Sequence, residues 1–190
     1  MPRVAQTKLN SKTWIKAGFR ALVANGDAAL KAEVLARTLK TTKGSFYWHF
    51  KDVPAFKREM LRLWQEDATK AIIHLVNLEG GTGAARLSML AGIVSSLNAD
   101  NEYGGLKAEP AIRNWAQNDK LVARSLRLVD TARIKFVSSL FQLQGINEVT
   151  SRQRAEIFYT GFVGMQTLAS TQEFDVADGL KRLLSILLKN

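Results

Sequence analysis

An all-α fold is the expectation for this 190-residue chain, and three observations carry it. Apolar residues recur at three- and four-residue spacing along almost the whole length, no stretch sustains strand-like alternation, and only three prolines interrupt the pattern. Hydrophobic residues make up 46% and charged residues 23%, so the composition is globular and the chain is long enough to bury a substantial core. No apolar run reaches the roughly eighteen residues of a membrane span, so no membrane partner is expected. The opening MPRVAQTKLNSK lacks the apolar segment of a secretory signal and cysteine is absent, which together predict a cytoplasmic protein without thiolate metal sites.

The elements follow in order. The first helix is expected to start at Asn10 or Ser11, carry Ile15, Phe19 and Leu22 on one face, and stop at Asn25-Gly26. A short second helix from about Lys31 to Leu39 sets Leu35 and Leu39 four apart, and only Lys40 to Thr42 separate it from TTKGSFYWHF, Thr41 to Phe50. That is helix, tight turn, helix. Asp52 is a plausible cap and Pro54 suits the first turn of a long helix whose apolar stripe runs through Phe56, Met60, Leu63 and Trp64 to Leu75. EGGTG ends it. A helix from Thr82 or Gly83 to Asn98 precedes the break ADNEYGG, and Pro110 interrupts or starts the next, which runs to Gln117. Asn118 and Asp119 open a long helix closed by Gly145, and two more follow, near Thr150 to Ala169 and Asp175 to Lys189. There is no internal repeat and no low-complexity tract.

Charge is unevenly distributed. The net is +10, yet residues 1–60 hold 12 Lys and Arg against 4 Asp and Glu, whereas residues 61–190 hold 15 against 13. An even spread would serve solubility; an excess concentrated in the first third is an electrostatic footprint for phosphates.

TTKGSFYWHF gives that footprint a shape. On a helix over Thr42 to Phe50, Phe46 and Phe50 share one face and pack on Ile15, Phe19, Leu22, Leu35 and Leu39, while Thr42, Ser45, Trp48 and His49 lie largely on other sides. Thr41, Thr42 and Lys43 sit at the helix start, where free N–H groups favour phosphate and recognition helices touch bases. Gly44 lowers helix stability by about 1 kcal/mol relative to Ala, so close packing by a DNA backbone or a neighbouring helix is expected there. Tyr47, His49 and Lys43 can donate to phosphate oxygens. The expected DNA-facing set is Lys12, Thr41, Thr42, Lys43, Gly44, Ser45, Tyr47, Trp48, His49 and Lys51. Two of these keep a second reading: Trp48 as a residue closing the small core, and His49 as a cap or core hydrogen-bonding group.

TTKGSFYWHFKD resembles the recognition-helix signature of TetR/AcrR-type bacterial transcriptional regulators, and the similarity extends back through LAR and ANG to IKAGFRAL. AIRNWAQNDKLVARSLRLVD and YTGFVGMQTL are more weakly similar to the second half of that family. The resemblance implies an N-terminal three-helix helix-turn-helix domain over 1–53 and a larger helical ligand-binding and dimerisation domain over 54–190. It implies a homodimeric repressor on double-stranded DNA, released by a small-molecule effector and associated with the nucleoid. The chain departs from the pattern at Lys40, where the family has glycine, at Leu30 and Lys31, where it has a Ser or Thr cap, and at Val53, where it has lysine. Lys40 is expected to be left-handed at some cost, and Lys51 or Lys57 to supply the missing charge.

The second half carries the partner expectations. Ile157, Gly161, Gly164, Met165 and Leu168 form one stripe with two glycines that permit close approach, and a second runs through Val176, Leu180, Leu183, Leu184, Leu187 and Leu188. Ile157, Gly161, Gly164, Met165, Leu168, Leu180, Leu184 and Leu187 are the expected contacts of a two-fold four-helix interface, against the alternative of an intrachain core. Trp64, Met89, Trp115, Phe136 and Phe162 either line a ligand cavity or form plain core. No cofactor or metal is expected. His74 lacks a second histidine at ligand spacing and is read as structural, GGTGAA has no Gly-Lys-Ser/Thr to make a phosphate loop, and the scattered carboxylates give no catalytic constellation. A non-specific nucleoid-type DNA binder shares the basic front but has no need of the large, nearly neutral second part.

Overall fold

The computed structural model describes residues 9–96 and 105–189, which form ten α-helices without a strand among the described residues. The first four are α1 (Ser11–Asn25), α2 (Ala32–Thr38), α3 (Lys43–His49) and α4 (Val53–Gln65). A π-helical turn, Glu66–Lys70, joins α4 to α5 (Ala71–Glu79). Then come α6 (Gly83–Ser95), α7 (Ala108–Asn118), α8 (Lys120–Gln142), α9 (Glu148–Thr171) and α10 (Val176–Leu187). The expected helix end at Asn98 and most of ADNEYGG lie outside the described residues.

Local chemistry explains the starts and stops. Asn10 Oδ1 accepts from Thr13 N–H at 2.9 Å, Asp52 Oδ1 from Ala55 N–H at 2.6 Å, Thr82 Oγ1 from Ala85 N–H at 3.2 Å and Asp119 Oδ1 from Leu121 N–H at 2.9 Å. α2 lacks this help. Lys31 stands at its cap position with no side-chain hydrogen bond, so the helix depends on the burial of Ala32, Leu35 and Ala36.

The tight turn after α2 closes by Thr41 N–H to Ala36 O at 2.9 Å and Lys40 N–H to Arg37 O at 3.1 Å, which makes Lys40 the left-handed residue of a Schellman motif. Its φ of 51° is the one positive value at a non-glycine position among the described residues. Lys40→Gly is expected to stabilise the protein by about 0.5–1 kcal/mol in urea unfolding, because the Cβ strain of that region disappears.

Two apolar clusters make the core. One joins α1 to α4 with Ile112 and Trp115 of α7 and Val122, Leu126 and Val129 of α8; it continues across residue 53. The other joins α5, α6, the C-terminal half of α8, α9 and α10. The helix expected to run unbroken through Leu75 is instead re-phased by the π turn. The extra residue rotates the inward face by one position, so Val76 is fully buried while Leu75 is 44% exposed.

Candidate nucleic-acid face and inter-helix cavity

A seven-residue helix is not stable alone, so α3 is held by what it buries. Phe46 is completely buried, with its ring centroid 5.3 Å from Trp14, 5.2 Å from Phe50 and 5.3 Å from Phe56. The opposite flank is open: Thr42, Lys43, Gly44, Tyr47, Trp48 and His49 are exposed, and Thr41 and Ser45 are half-buried. Trp48 is 88% exposed and therefore does not close the small core. Lys12 and Lys51 are exposed as well.

Several groups on this flank are already engaged. Thr42 Oγ1 accepts from Ser45 N–H at 3.3 Å as the cap of α3. Lys43 Nζ pairs with Glu33 of α2 and lies 5.9 Å from the Tyr47 ring centroid. The hydrogen bond between them holds the Glu33 carboxyl below its ordinary range and lifts the Lys43 ammonium above its own. Glu33 is ten residues away in sequence and carried no signal there. At Gly44 an added Cβ would meet nothing of the protein nearer than Thr42 Oγ1 at 3.6 Å, so no neighbouring helix explains this glycine. Lys57 lies 5.3 Å from the Trp115 ring centroid, half-buried, while Lys51 stays exposed beside half-buried Val53.

A cavity of about 190 Å³ opens where the two apolar clusters meet. Trp64, Phe136 and Phe162 line it, together with Phe19 of α1 and Asp67, Ala68 and Thr69 of the π turn. Two expected lining residues do not. Trp115 is 1% exposed within the first cluster, and Met89 packs half-buried on the second, because each is rotated onto a face that its helix presents to a neighbour.

A polar network missed by sequence reasoning borders this cavity. Arg133 donates from Nε to Thr69 Oγ1 at 3.0 Å, from Nη1 to Glu109 Oε1 at 2.9 Å and from Nη2 to Ala68 O at 3.1 Å, and its guanidinium lies 5.5 Å from the Trp64 ring centroid. Arg113 Nη2 reaches Glu109 Oε1 at 2.9 Å and Asp130 Oδ1 at 2.8 Å. Tyr159 donates its hydroxyl proton to Asp130 Oδ1 at 2.7 Å and accepts from Arg113 at 2.9 Å. Burial pushes the Tyr159 hydroxyl above the ordinary phenol range, with Glu109 and Asp130 acting in the same direction, so it remains a donor. For Arg133 burial is the largest single influence and opposes the charge, but Glu109 and Tyr159 together outweigh it and the guanidinium stays charged.

The expected dimer residues divide. Leu180, Leu184 and Leu187 are buried in the second cluster, which corrects their assignment to a dimer contact: the inward face of α10 packs on α9 and α6 of its own chain. Ile157, Gly164 and Leu168 are exposed and Gly161 and Met165 half-buried. A Cβ on Gly161 would come within 2.7 Å of Leu183 Cδ2, so this glycine permits the intrachain approach of α9 to α10. Ile186, 64% exposed on the outer face of α10, went unnoticed in the sequence. His74 is exposed on α5, and GGTG is the connection between α5 and α6.

The described helices share their fold with solved transcriptional regulators, several of them of the TetR family. A transcriptional regulator from Rhodococcus sp. Rha1 superposes with a TM-score of 0.78 at 17% identity, covering 95% of this chain and 96% of that one. A TetR transcription regulator from Haloarcula marismortui gives 0.73 at 16% identity over 93% of each chain. The Bacillus subtilis regulator FadR, solved in complex with stearoyl-CoA, gives 0.71 at 14% identity over 93% of this chain and 97% of that one. No protein-family model matches the sequence, and no curated protein matches it.

Proposed function

We propose that this protein is a sequence-specific DNA-binding transcriptional regulator, a homodimeric repressor released by a small-molecule effector. The observation that carries the reading is the exposed flank of α3, with Lys43, Tyr47, Trp48 and His49 presented opposite the buried Phe46. On this reading residues 1–53 are the DNA-binding domain and 54–190 the regulatory domain. Trp48 and Ser45 face base edges, while Lys12, Thr41, Thr42, Lys43, Tyr47, His49 and Lys51 meet phosphates. Gly44 leaves room for the duplex. Lys43 must exchange Glu33 for phosphate as it binds.

The effector site is the cavity. Its wall contains Phe19 of α1 and Trp64 of α4, so a ligand there touches elements that carry the DNA-binding helices directly. The π turn, which supplies Asp67, Ala68 and Thr69 to the same wall, is the hinge at which α4 changes its setting. A ligand that fits the DNA-incompetent setting better shifts the population towards it; equal affinity shifts nothing.

The dimer face is the outer stripe Ile157, Gly164 and Leu168 of α9 with Ile186 of α10, joined to its two-fold copy as a four-helix bundle. Such a pair sets two recognition helices about 34 Å apart and calls for a near-palindromic operator. Light scattering at micromolar concentration is expected to give twice the chain mass, and a monomer there would remove this interface.

Footprinting of the purified protein on genomic DNA, followed by a screen for compounds that release the site, tests the whole reading. Binding that random DNA competes away equally would instead indicate a non-specific nucleoid-type protein. Lys51→Ala is expected to weaken operator and random DNA alike and to lower the salt slope by about 1. An unchanged slope would show that Lys51 touches no phosphate.

A further inference from the structure

The chemistry left over in the cavity wall selects a ligand class, and this step rests on the cavity being the effector site. A void of about 150 Å³ is enough for benzene; at about 190 Å³ this one suits a somewhat larger body, such as two fused rings. Most of its wall is aromatic or aliphatic, including Trp64, Ile72, Leu90, Phe136 and Phe162. The donors along the wall are largely committed: Arg133 Nε serves Thr69, Nη1 serves Glu109 and Tyr159, and Nη2 serves Ala68 O. The Tyr159 proton is given to Asp130.

An acceptor is what remains. Glu109 is 6% exposed, and both arginines bind its Oε1 at 2.9 Å. Its charge is thereby matched within the network. Gln166, 4% exposed in the same wall, has its Oε1 buried without a partner. A buried acceptor without a donor destabilises a protein by about 1–3 kcal/mol, and a ligand that brings a donor recovers that energy.

Charge narrows the class further. Arg113 and Arg133 are balanced by Glu109 and Asp130, and the remaining acid of the wall, Asp67, is exposed to water. A carboxylate ligand would have to draw an arginine off Glu109, and a cation would bury a charge that nothing balances. We propose that the effector is a neutral, largely apolar molecule of about two fused rings, bearing an O–H or N–H group that donates to Gln166 Oε1.

Four probes test this by calorimetric titration of the full chain: 2-naphthol, 2-methoxynaphthalene, 2-naphthoate and 2-naphthylmethylammonium. Naphthol is expected to bind about tenfold or more tightly than each of the others. In Gln166→Leu, checked for folding by circular dichroism, its advantage over methoxynaphthalene should fall to about threefold or less. Equal binding of naphthol and methoxynaphthalene overturns the donor requirement and leaves the cavity as the effector site. Tightest binding of the naphthoate or the ammonium overturns the neutral class. Binding of none of the four removes both the donor inference and the cavity as a site for ligands of this size.

Discussion

Phe46→Ala is expected to lower stability by about 3–5 kcal/mol and to abolish DNA binding with it, whereas Trp48→Ala, two residues away, leaves stability within about 0.5 kcal/mol and still loses affinity. The two rings differ only in which side of α3 they occupy. Phe46 is fully buried and meets Trp14, Phe50 and Phe56 at centroid distances of 5.2–5.3 Å, so truncation opens a cavity in the middle of the first cluster. Trp48 is 88% exposed and makes no comparable contact in the protein. Removing it should weaken DNA binding by about 1–3 kcal/mol, that is, about fivefold or more. Thermal unfolding and operator titration on both variants check the pair. Loss of stability in Trp48→Ala, or unchanged DNA affinity with a stable fold, would show that this flank is not the DNA face.

Glu109→Leu should be nearly as damaging, at about 3–5 kcal/mol, although it puts a hydrophobic residue into a mostly hydrophobic wall. Among the described residues Glu109 is the only carboxylate that Arg113 and Arg133 share, and its side chain is 7% exposed. Its loss leaves Arg113 with Asp130 and Arg133 with no carboxylate partner among the described residues, and an uncompensated buried charge destabilises far more than the intact pair stabilises. Glu109→Gln retains the shape and one acceptor and should lose appreciably less. Chemical denaturation of the two variants distinguishes this from a packing effect, because a packing effect would rank Leu no worse than Gln.

The same contrast between local and distant causes separates what was legible in the sequence from what was not. Asn10, Gly26, Asp52, Thr82 and Asp119 act within a few residues of themselves, and the helix boundaries they imply match the structure. The faces of α3 follow from a 3.6-residue period applied to ten residues. The left-handed setting of Lys40 comes from the resemblance, whose pattern has glycine at that place in the turn. Period counting failed at the first irregularity: the π turn adds a residue that the apolar pattern does not announce, and Val76 takes the inward place assigned to Leu75. Leu180, Leu184 and Leu187 failed differently. An apolar stripe says that a face is covered, but not whether its own chain or a copy covers it.

By itself, then, the sequence determined the class of fold, the helix limits, the basic front and the side of α3 that stays bare, because each depends on neighbours along the chain. Only the tertiary structure decided that Trp115 belongs to the core and Phe19 to the cavity wall, that Glu33 holds Lys43, and that Arg133 gathers Thr69, Glu109 and Tyr159. Those partners stand ten to 64 residues apart. Their meeting depends on how helices cross, and a hydrophobic period specifies that a face is buried without specifying against what.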